Sequence, residues 1–355
     1  MTVKFTRPSI NIRETLDQLN KPSGIAGNAM LAAETPQEQF NLIGAGRKNL
    51  IINGGFDVWQ RGTTGSVVGG PEYASADRWK LYVNTSTTMT LSRQTFSPGQ
   101  TEVPGNPKYY AKFDWLGTGS SQFFGFEQFI EGCHHAAGGY LTVSFYARTE
   151  QADDITLGVN QVFGSGGSAS VTVGNFPIDT ETTWKKFVVT TQVPSIAGKT
   201  IGAKDALAFT FYRNGTLNSY LEIANVQVEV GSVATPFEHR SYGEELALCQ
   251  RYYQMYYGYS YQVIGGFTGT METTTTCHFF GNIPEMRGAP TLEENNLHVS
   301  TASGSVFGVT SSSLPSTSKN GFRLVANINT SVAANTFMFL RSPGSSAYIA
   351  FNAEL

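Results

Sequence analysis

Cysteine and histidine residues stand side by side at two points of the sequence, where they could supply ligands for a metal ion. Cys133, His134 and His135 form one group, and Cys277 and His278 form the other. Thiolate and imidazole are the ligands that zinc prefers. Adjacent residues of a strand point to opposite faces of a sheet, so such neighbours seldom converge on one ion. We therefore expect buried cysteines beside polar histidines, and no metal site.

Three pairs of adjacent carboxylates raise the question of glycoside hydrolysis, which places two acidic groups roughly 5–10 Å apart across the scissile bond. The pairs are Asp153-Asp154, Glu244-Glu245 and Glu293-Glu294. We expect the first and third pairs in loops and the second in the first turn of a helix, where the helix dipole stabilises negative charge. These placements require no catalysis, and we predict that the protein is not an enzyme. A catalytic pair assembled from distant residues stays open.

Other catalytic signatures are missing from the sequence. It contains neither G-x-S-x-G nor H-E-x-x-H, so it offers no support for a serine hydrolase or a zincin. Gly198-Lys199-Thr200 is similar to the end of a phosphate-binding loop, but Val193 stands where that loop requires glycine. We expect no cofactor.

Tyrosines are concentrated around residue 255. Tyr257, Tyr259 and Tyr261 alternate and would share one face of a strand, continuing from tyrosines at the end of a preceding helix. Flat rings that carry a hydroxyl suit stacking on a sugar or a subunit interface. Packing of helix on sheet within one subunit explains them equally well. The three residues are therefore candidates for glycan binding or for a trimer interface.

The composition excludes several classes of protein. With 40% hydrophobic residues in 355, the chain can form packed cores and is not disordered. A net charge of −3 favours neither nucleic acid nor anionic membranes as partners. No apolar run is long enough to span a membrane, and the first ten residues lack the apolar core of a signal peptide. We expect synthesis in a cytosol, with the three cysteines reduced.

Residues 1–48 carry the signals of two short helices. One begins near Asn11 with Glu14 at capping-box spacing, and the other begins at Thr35 with Pro36 at its first position. Helices this short cannot bury a core alone. They either pack on the next domain or insert into a larger assembly. The candidate docking residues are Ile12, Leu16, Leu19, Phe40, Leu42 and Ile43.

Residues 49–240 change to the alternating pattern of strands. Residues 140–148 place Leu141, Val143, Phe145 and Ala147 on one face. Similar stretches follow at 155–163, 185–191, 206–213 and 220–230, and Asn214-Gly215 predicts a tight type I′ hairpin. Strands joined by polar loops indicate an antiparallel β-sandwich of the jelly-roll type.

The last part of the chain begins with a linking helix at 241–258, with Ser241 as N-cap and Glu244 three residues later. Strand-like runs then fill residues 259–355, which we expect to form a smaller β-sandwich. Residues 299–319 are rich in Ser and Thr and predict an exposed loop or edge. The whole chain is thus predicted to be mainly β.

Two stretches resemble a known family. NLIINGGFDVWQRGT at 49–63, followed by Ala76-Asp77-Arg78-Trp79, resembles the first strands of the jelly-roll module of bacteriophage tail-fibre proteins. VQVEVGSVATPFEHRSYGEELALCQRYYQ at 226–254 is similar to the end of that module and its following helix. Residues 5–44 also look like the openings of phage fibre proteins, whereas the last 100 residues resemble no family that we can name.

The resemblance implies a virion structural protein without catalysis, homotrimeric, that attaches the particle to a host-surface glycan. It implies that residues 1–48 are fixed to a tail adaptor or another virion protein and that the last domain faces the host. It also implies a carbohydrate-binding-module-like jelly roll, in some cases with a structural calcium, for which Asp57 and Glu229 are the candidates. The alternatives are a capsid-decorating head fibre or cement protein, and a surface-polysaccharide depolymerase.

Overall fold

The protein is described by a computed structural model that covers residues 48–117, 123–150, 153–214, 219–258, 262–344 and 347–355. The predicted helices near the N-terminus lie outside these residues. So do Tyr259, Tyr261 and all six candidate docking residues: Ile12, Leu16, Leu19, Phe40, Leu42 and Ile43.

A ten-stranded antiparallel sheet forms the larger domain. Its strands are β1 (Thr64–Glu72), β2 (Lys80–Thr95), β3 (Tyr109–Gly117), β4 (Phe123–Glu131), β5 (Tyr140–Thr149), β6 (Asp153–Val162), β7 (Val171–Thr180), β8 (Lys185–Gln192), β9 (Ala206–Asn214) and β10 (Ser219–Val230). The order is β7-β6-β9-β4-β2-β3-β10-β5-β8, with β1 paired to β2. The long strand β2 belongs to both halves, since its first residues pair with β4 and its later ones with β3.

The two halves of this sheet pack face to face around an aromatic core. Phe113 of β3 stacks on Phe126 of β4 at 3.6 Å between ring centroids, and Phe145 of β5 meets Phe211 of β9 at 5.0 Å. None of these partners lies on neighbouring strands. The predicted antiparallel sandwich is therefore confirmed.

Strand prediction succeeds in this domain, but the hairpin prediction is wrong. The four residues assigned to one face of β5 all lie in the core. Asn214-Gly215 does not join paired strands, because β9 pairs with β4 and β6 whereas β10 pairs with β3 and β5. β9 and β10 thus lie in different layers of the sandwich. Asn-Gly marks a turn, but it does not specify which strands pair.

One helix, α1 (Tyr242–Gln250), follows the jelly roll among the described residues. Ser241 and Glu244 form the predicted capping box, in which each side chain accepts from the other's backbone N–H. The helix ends at Gln250 rather than near residue 258. Tyr253–Tyr257 forms a strand instead, because its backbone pairs with the last strand of the chain. Within the described residues no helix has the length and apolar content to cross a membrane.

The C-terminal domain contains two antiparallel sheets. Its strands are β11 (Tyr253–Tyr257), β12 (Val263–Met271), β13 (Thr276–Asn282), β14 (Thr291–Asn295), β15 (His298–Thr301), β16 (Val306–Thr317), β17 (Gly321–Ile328), β18 (Phe337–Arg341) and β19 (Tyr348–Asn352). Six strands form a closed barrel in the order β12-β13-β17-β16-β15-β18, and β11-β19-β14 form a separate sheet. The predicted second sandwich is thus a barrel, because β18 pairs with both β12 and β15.

Residues 299–319 are another correction. They contain all of β16, which pairs with β15 on one side and β17 on the other and is therefore not an edge strand. Its Ser and Thr side chains lie largely on the outer wall of the barrel. A strand whose outward face is wholly polar resembles a loop when composition alone is considered.

Buried charge joins the jelly roll to the C-terminal domain. Arg78, 1% exposed, forms an ion pair with Glu354 and donates to the carbonyl of Phe129 at 2.6 Å. The guanidinium carbon of Arg78 lies 3.4 Å from the ring centroid of Tyr252, and that of Arg61 lies 3.4 Å from the ring of Tyr253. These contacts fix the C-terminal segment against the jelly roll.

Candidate functional site

A cleft of about 460 Å³ opens on the outer face of the layer formed by β3, β10, β5 and β8. Ser144 and Tyr146 of β5 and Asn225 of β10 form its floor. These two β5 side chains point outward because they alternate with the core residues Val143, Phe145 and Ala147. One wall contains Pro104 and Gly105 of the β2–β3 loop, and the other is the segment 234–239.

Asn225 is the most unusual residue of the floor. It sits at a β-bulge, where the pairing of β10 with β5 shifts between Ala224 and Gln227, and its φ of 51° is left-handed. The side chain is 3% exposed. Its Nδ2 donates to the Pro104 carbonyl at 3.4 Å, whereas Oδ1 has no donor among the described residues. A buried acceptor without a donor costs free energy, and strain of this kind clusters at binding sites.

The wall at 234–239 is held by two buried side chains of β10. Glu229 accepts from the Thr235 backbone N at 3.0 Å and from Thr235 Oγ1 at 2.5 Å. Gln227 accepts from the Glu238 backbone N at 2.7 Å. Asn49 and Lys48 add contacts from the start of the domain, including Lys48 Nζ to Thr235 Oγ1 at 2.6 Å. The cleft is therefore preformed rather than bounded by a loose loop.

An aromatic cluster borders the cleft. Trp184 lies 5.3 Å from both Phe96 and Tyr110, measured between ring centroids, and the guanidinium of Arg148 lies 5.1 Å from the Trp184 ring. Tyr146 packs against the same cluster and also lines the cleft. Its hydroxyl has no partner among the described residues. The floor thus offers a ring face beside free hydrogen-bonding groups.

The charged groups of the cleft are basic. Lys186 is exposed and forms no ion pair with any described residue. His239 is also exposed at the rim, and partial desolvation lowers its pKa. Gly105, at φ +87°, lets His239 approach, since a Cβ there would lie 2.4 Å from Nε2. No carboxylate lines this cleft among the residues that the structure describes.

Asp57 and Glu229, the two candidate calcium ligands, have different surroundings. Both oxygens of Glu229 are engaged by Thr235, and the side chain positions the cleft wall. Burial and the nearby Glu245 raise the pKa of Asp57 to about 6. The described residues contain no group of three His, Cys, Asp or Glu placed to hold an ion.

Cys277 and His278 adopt the arrangement expected from strand geometry, whereas Cys133, His134 and His135 lie in a turn that follows β4. Cys277 points into the barrel core, whereas His278 points outward and lies 2.6 Å from Glu272. Cys133 is buried, and the rings of His134 and His135 stack at 4.6 Å. All three cysteines are free and buried.

The adjacent carboxylates differ in part from prediction. Asp153-Asp154 begins β6 and Glu293-Glu294 lies in β14, so neither pair is in a loop. Glu293 accepts from Asn352 at 2.5 Å, and Glu294 accepts from Ser312 at 3.1 Å on another strand. Glu245 accepts from the Asn53 backbone and Arg240. The contacts of Glu245, Glu293 and Glu294 thus connect neighbouring segments of the fold.

Tyr257 lies at the seam between the domains. It is the last residue of β11, opposite Tyr348 on β19, and its hydroxyl donates to the Gln60 carbonyl of the jelly roll. Its ring is 47% exposed and lies 6.4 Å from that of Tyr348. Tyr252 and Tyr253 are both buried. Tyr252 lies in the turn that ends α1, where its backbone N donates to the Cys249 carbonyl at 2.9 Å, and Tyr253 begins β11. The structure therefore does not bring Tyr257 to the cleft.

Sequence analysis missed the cleft residues, although β10 contains a signal. Its apolar residues occupy odd positions at Leu221 and Ile223 but even positions at Val226 and Val228. This change of phase at Ala224-Asn225 is the sequence signature of a bulge. Tyr146, Lys186 and His239 carry no comparable signal, because their meeting depends on the order of strands in the sheet.

Comparison with known proteins gives low similarities only. No family model and no curated protein matches the chain. Among solved structures, the enzymatically active domain of tailspike protein 4 of bacteriophage CBA120 has a TM-score of 0.33 and 14% identity, covering 51% of this chain and 21% of that one. The match therefore spans about a fifth of the tailspike chain.

Two further structures cover nearly all of their own length. A family 11 carbohydrate-binding module from Clostridium thermocellum, in complex with a β-1,3-1,4-mixed-linked tetrasaccharide, has a TM-score of 0.30 and 12% identity over 48% of this chain and 98% of that one. A cyclase from Fischerella sp. TAU has a TM-score of 0.36 and 11% identity over 53% and 99%. At such TM-scores the likeness assigns neither a family nor a function.

Proposed function

We propose that the protein is a non-catalytic, glycan-binding fibre of a bacteriophage particle, and that the cleft above Asn225 is its glycan site. The observation that carries glycan binding is the preformed floor of this cleft. A buried amide oxygen without a donor, a free tyrosine hydroxyl and an aromatic border lie together there. Sugars offer hydroxyl donors and apolar ring faces in the same molecule, so they match both parts of the floor.

Replacing Asn225 tests this site directly. Asn225→Gly removes the side chain but keeps a residue that accepts the left-handed φ. The probe is surface polysaccharide extracted from a bacterial strain to which the labelled full-length protein binds saturably. We expect the variant to bind this polysaccharide about tenfold more weakly or worse, with an unchanged melting temperature or a higher one.

Asn335→Gly is the matched control, because Asn335 also has a left-handed φ, 61°, but lies in a turn of the C-terminal domain. It should bind normally. Full binding by Asn225→Gly would overturn the site. The same incubations are analysed for new reducing ends, and their steady release would favour the depolymerase alternative instead.

The virion role rests on the resemblance of residues 49–63 and 226–254 to phage fibre proteins. In this proposal residues 1–48 dock on a tail adaptor or another virion protein, and the chain assembles as a homotrimer. Several copies on one particle would bind a glycan surface far more tightly than one copy does, since each bound site increases the effective concentration of the next. A capsid-decorating head fibre is the alternative, and the two differ in where labelled protein lies on the particle.

A further inference from the structure

A second cleft lies on the outer wall of the C-terminal barrel, away from the jelly roll. It has a volume of about 530 Å³ and is formed by the ends of β13, β16 and β17. Phe280 lines it with 62% of its surface exposed. β13 pairs with β12 on one side and β17 on the other, so this ring is presented on a rigid support.

Polar side chains surround the exposed ring. Asn282, Ser316, Thr317 and Ser318 line the cleft beside Phe280. Gly321 keeps the space between two of them open, since a Cβ there would lie 3.3 Å from Ser318 Oγ and 3.5 Å from Asn282 Oδ1. An apolar face bordered by hydroxyl and amide groups fits a pyranose ring better than a wholly apolar partner.

Arg323 adds a cation that forms no direct ion pair with any described residue. Its Nε is buried without a partner, and the guanidinium forms no ion pair with any described carboxylate. The Arg323 Nη2 lies 3.4 Å from His278 Nε2. That histidine nitrogen also lies 2.6 Å from the Glu272 carboxylate. One imidazole nitrogen cannot donate to Glu272 and accept from Arg323 at once. Arg323 therefore has no acceptor for its N–H groups among the residues that the structure describes.

We propose that this cleft is a second saccharide site and that it takes an acidic glycan, with the sugar face on Phe280 and the carboxylate on Arg323. A guanidinium binds a carboxylate through two parallel hydrogen bonds, which a neutral sugar cannot provide. The site is independent of the cleft above Asn225, because it lies on a different domain and shares no residue with it. Each can fail without the other.

The test measures binding of uronic-acid oligosaccharides to the full-length protein by calorimetry. The probes are trigalacturonate and a hyaluronan tetrasaccharide, each in native and carboxyl-reduced form. We expect Phe280→Ser and Arg323→Gln each to weaken binding of an acidic probe at least tenfold. Wild type and Arg323→Gln should bind the carboxyl-reduced probe equally weakly. The Asn225→Gly variant should bind the acidic probe as wild type does.

Phe337→Ser and Arg341→Gln are matched controls. Phe337 is 47% exposed, Arg341 also has a buried Nε without a partner, and both lie on β18 outside the cleft. Both variants should bind normally. The proposal is overturned if wild type binds no acidic probe at millimolar concentration or if the cleft variants bind as wild type does. A change of oligomer mass in Phe280→Ser would overturn it in favour of an interface between copies of the chain.

Discussion

Asp77 shows how burial sets the behaviour of a single charged side chain. The residue is 1% exposed, and its carboxylate accepts from the Gln60 backbone N at 2.9 Å and from the Gln60 side chain. Burial is the largest influence and raises the pKa of Asp77 to about 6, against the stabilising effects of Arg61 and Gln60. The folded protein therefore holds a proton on Asp77 more tightly than the unfolded chain does.

This shift predicts a specific pH dependence of stability. As pH rises from about 4 to about 6, the unfolded chain releases the Asp77 proton before the folded protein does, so the stability present at low pH is lost. The free energy of unfolding of wild type, minus that of Asp77→Asn, should fall by about 2 to 3 kcal/mol across this range. Urea titrations at several pH values measure it.

Asp179→Asn is the control, because Asp179 is exposed and its substitution removes a carboxylate from the surface. Its difference from wild type should stay flat within about 0.5 kcal/mol over the same range. A flat difference for Asp77→Asn as well would show that Asp77 is ionised in the folded protein throughout.

At the scale of elements, the segment after β19 is fixed to the jelly roll by Glu354. Its carboxylate pairs with the buried Arg78, and Arg61 lies 3.5 Å away. Glu354→Gln keeps the shape but leaves the Arg78 charge buried without a counter-ion. We expect the free energy of unfolding to fall by about 3 to 5 kcal/mol, measured by urea denaturation.

Glu181→Gln is the comparison, because Glu181 forms an ion pair with Lys185 in which both side chains are about half exposed. That change should cost less than about 1 kcal/mol. Equal losses from the two substitutions would mean that the Arg78–Glu354 pair contributes no more than a surface pair.

The sequence predicted correctly those helix and strand features that depend on residues close together in the chain. The capping box at Ser241 and Glu244 and the alternation of Leu141, Val143 and Phe145 needed no knowledge of distant residues. The hairpin at Asn214 failed because pairing partners depend on the whole sheet. The end of α1 failed for the same reason, since only β19 makes a strand of Tyr253–Tyr257.

The candidate sites depend on topology to a greater degree. Asn225 and Tyr146 meet because β10 and β5 are neighbours in the sheet, and the loop with Pro104 folds over them from elsewhere. A glycan site or a trimer interface was predicted from tyrosines close together in sequence, and of these Tyr257 contacts Gln60 across the domain seam. Clefts made of distant segments leave no contiguous pattern to read.

At the scale of the whole molecule, the contacts of Lys48 with the cleft wall narrow the proposed virion-docking segment from residues 1–48 to residues 1–47. Lys48 and Asn49 belong to the binding part. Lys48 donates from its backbone N to Glu238 at 2.8 Å, and Asn49 donates to the Val226 carbonyl at 3.1 Å and accepts from the Val228 backbone N at 3.0 Å. These bonds join the start of the domain to the cleft wall and to β10, the strand that carries Asn225 of the floor.

The boundary predicts the outcome of two truncations that differ by only two residues. Removing residues 1–47 should leave a folded β-rich protein that binds glycan as the full chain does but no longer enters virions, as shown by immunoblot of purified particles and by labelling on the particle. Removing residues 1–49 also deletes Lys48 and Asn49, which leaves the Val228 N–H and the Glu238 carboxylate without these partners. This deletion should lower the free energy of unfolding by about 2 kcal/mol or more and weaken glycan binding. Normal incorporation of the shorter deletion would contradict virion docking through residues 1–47, whereas equal glycan binding by both truncations would contradict the coupling of Asn49 to the cleft.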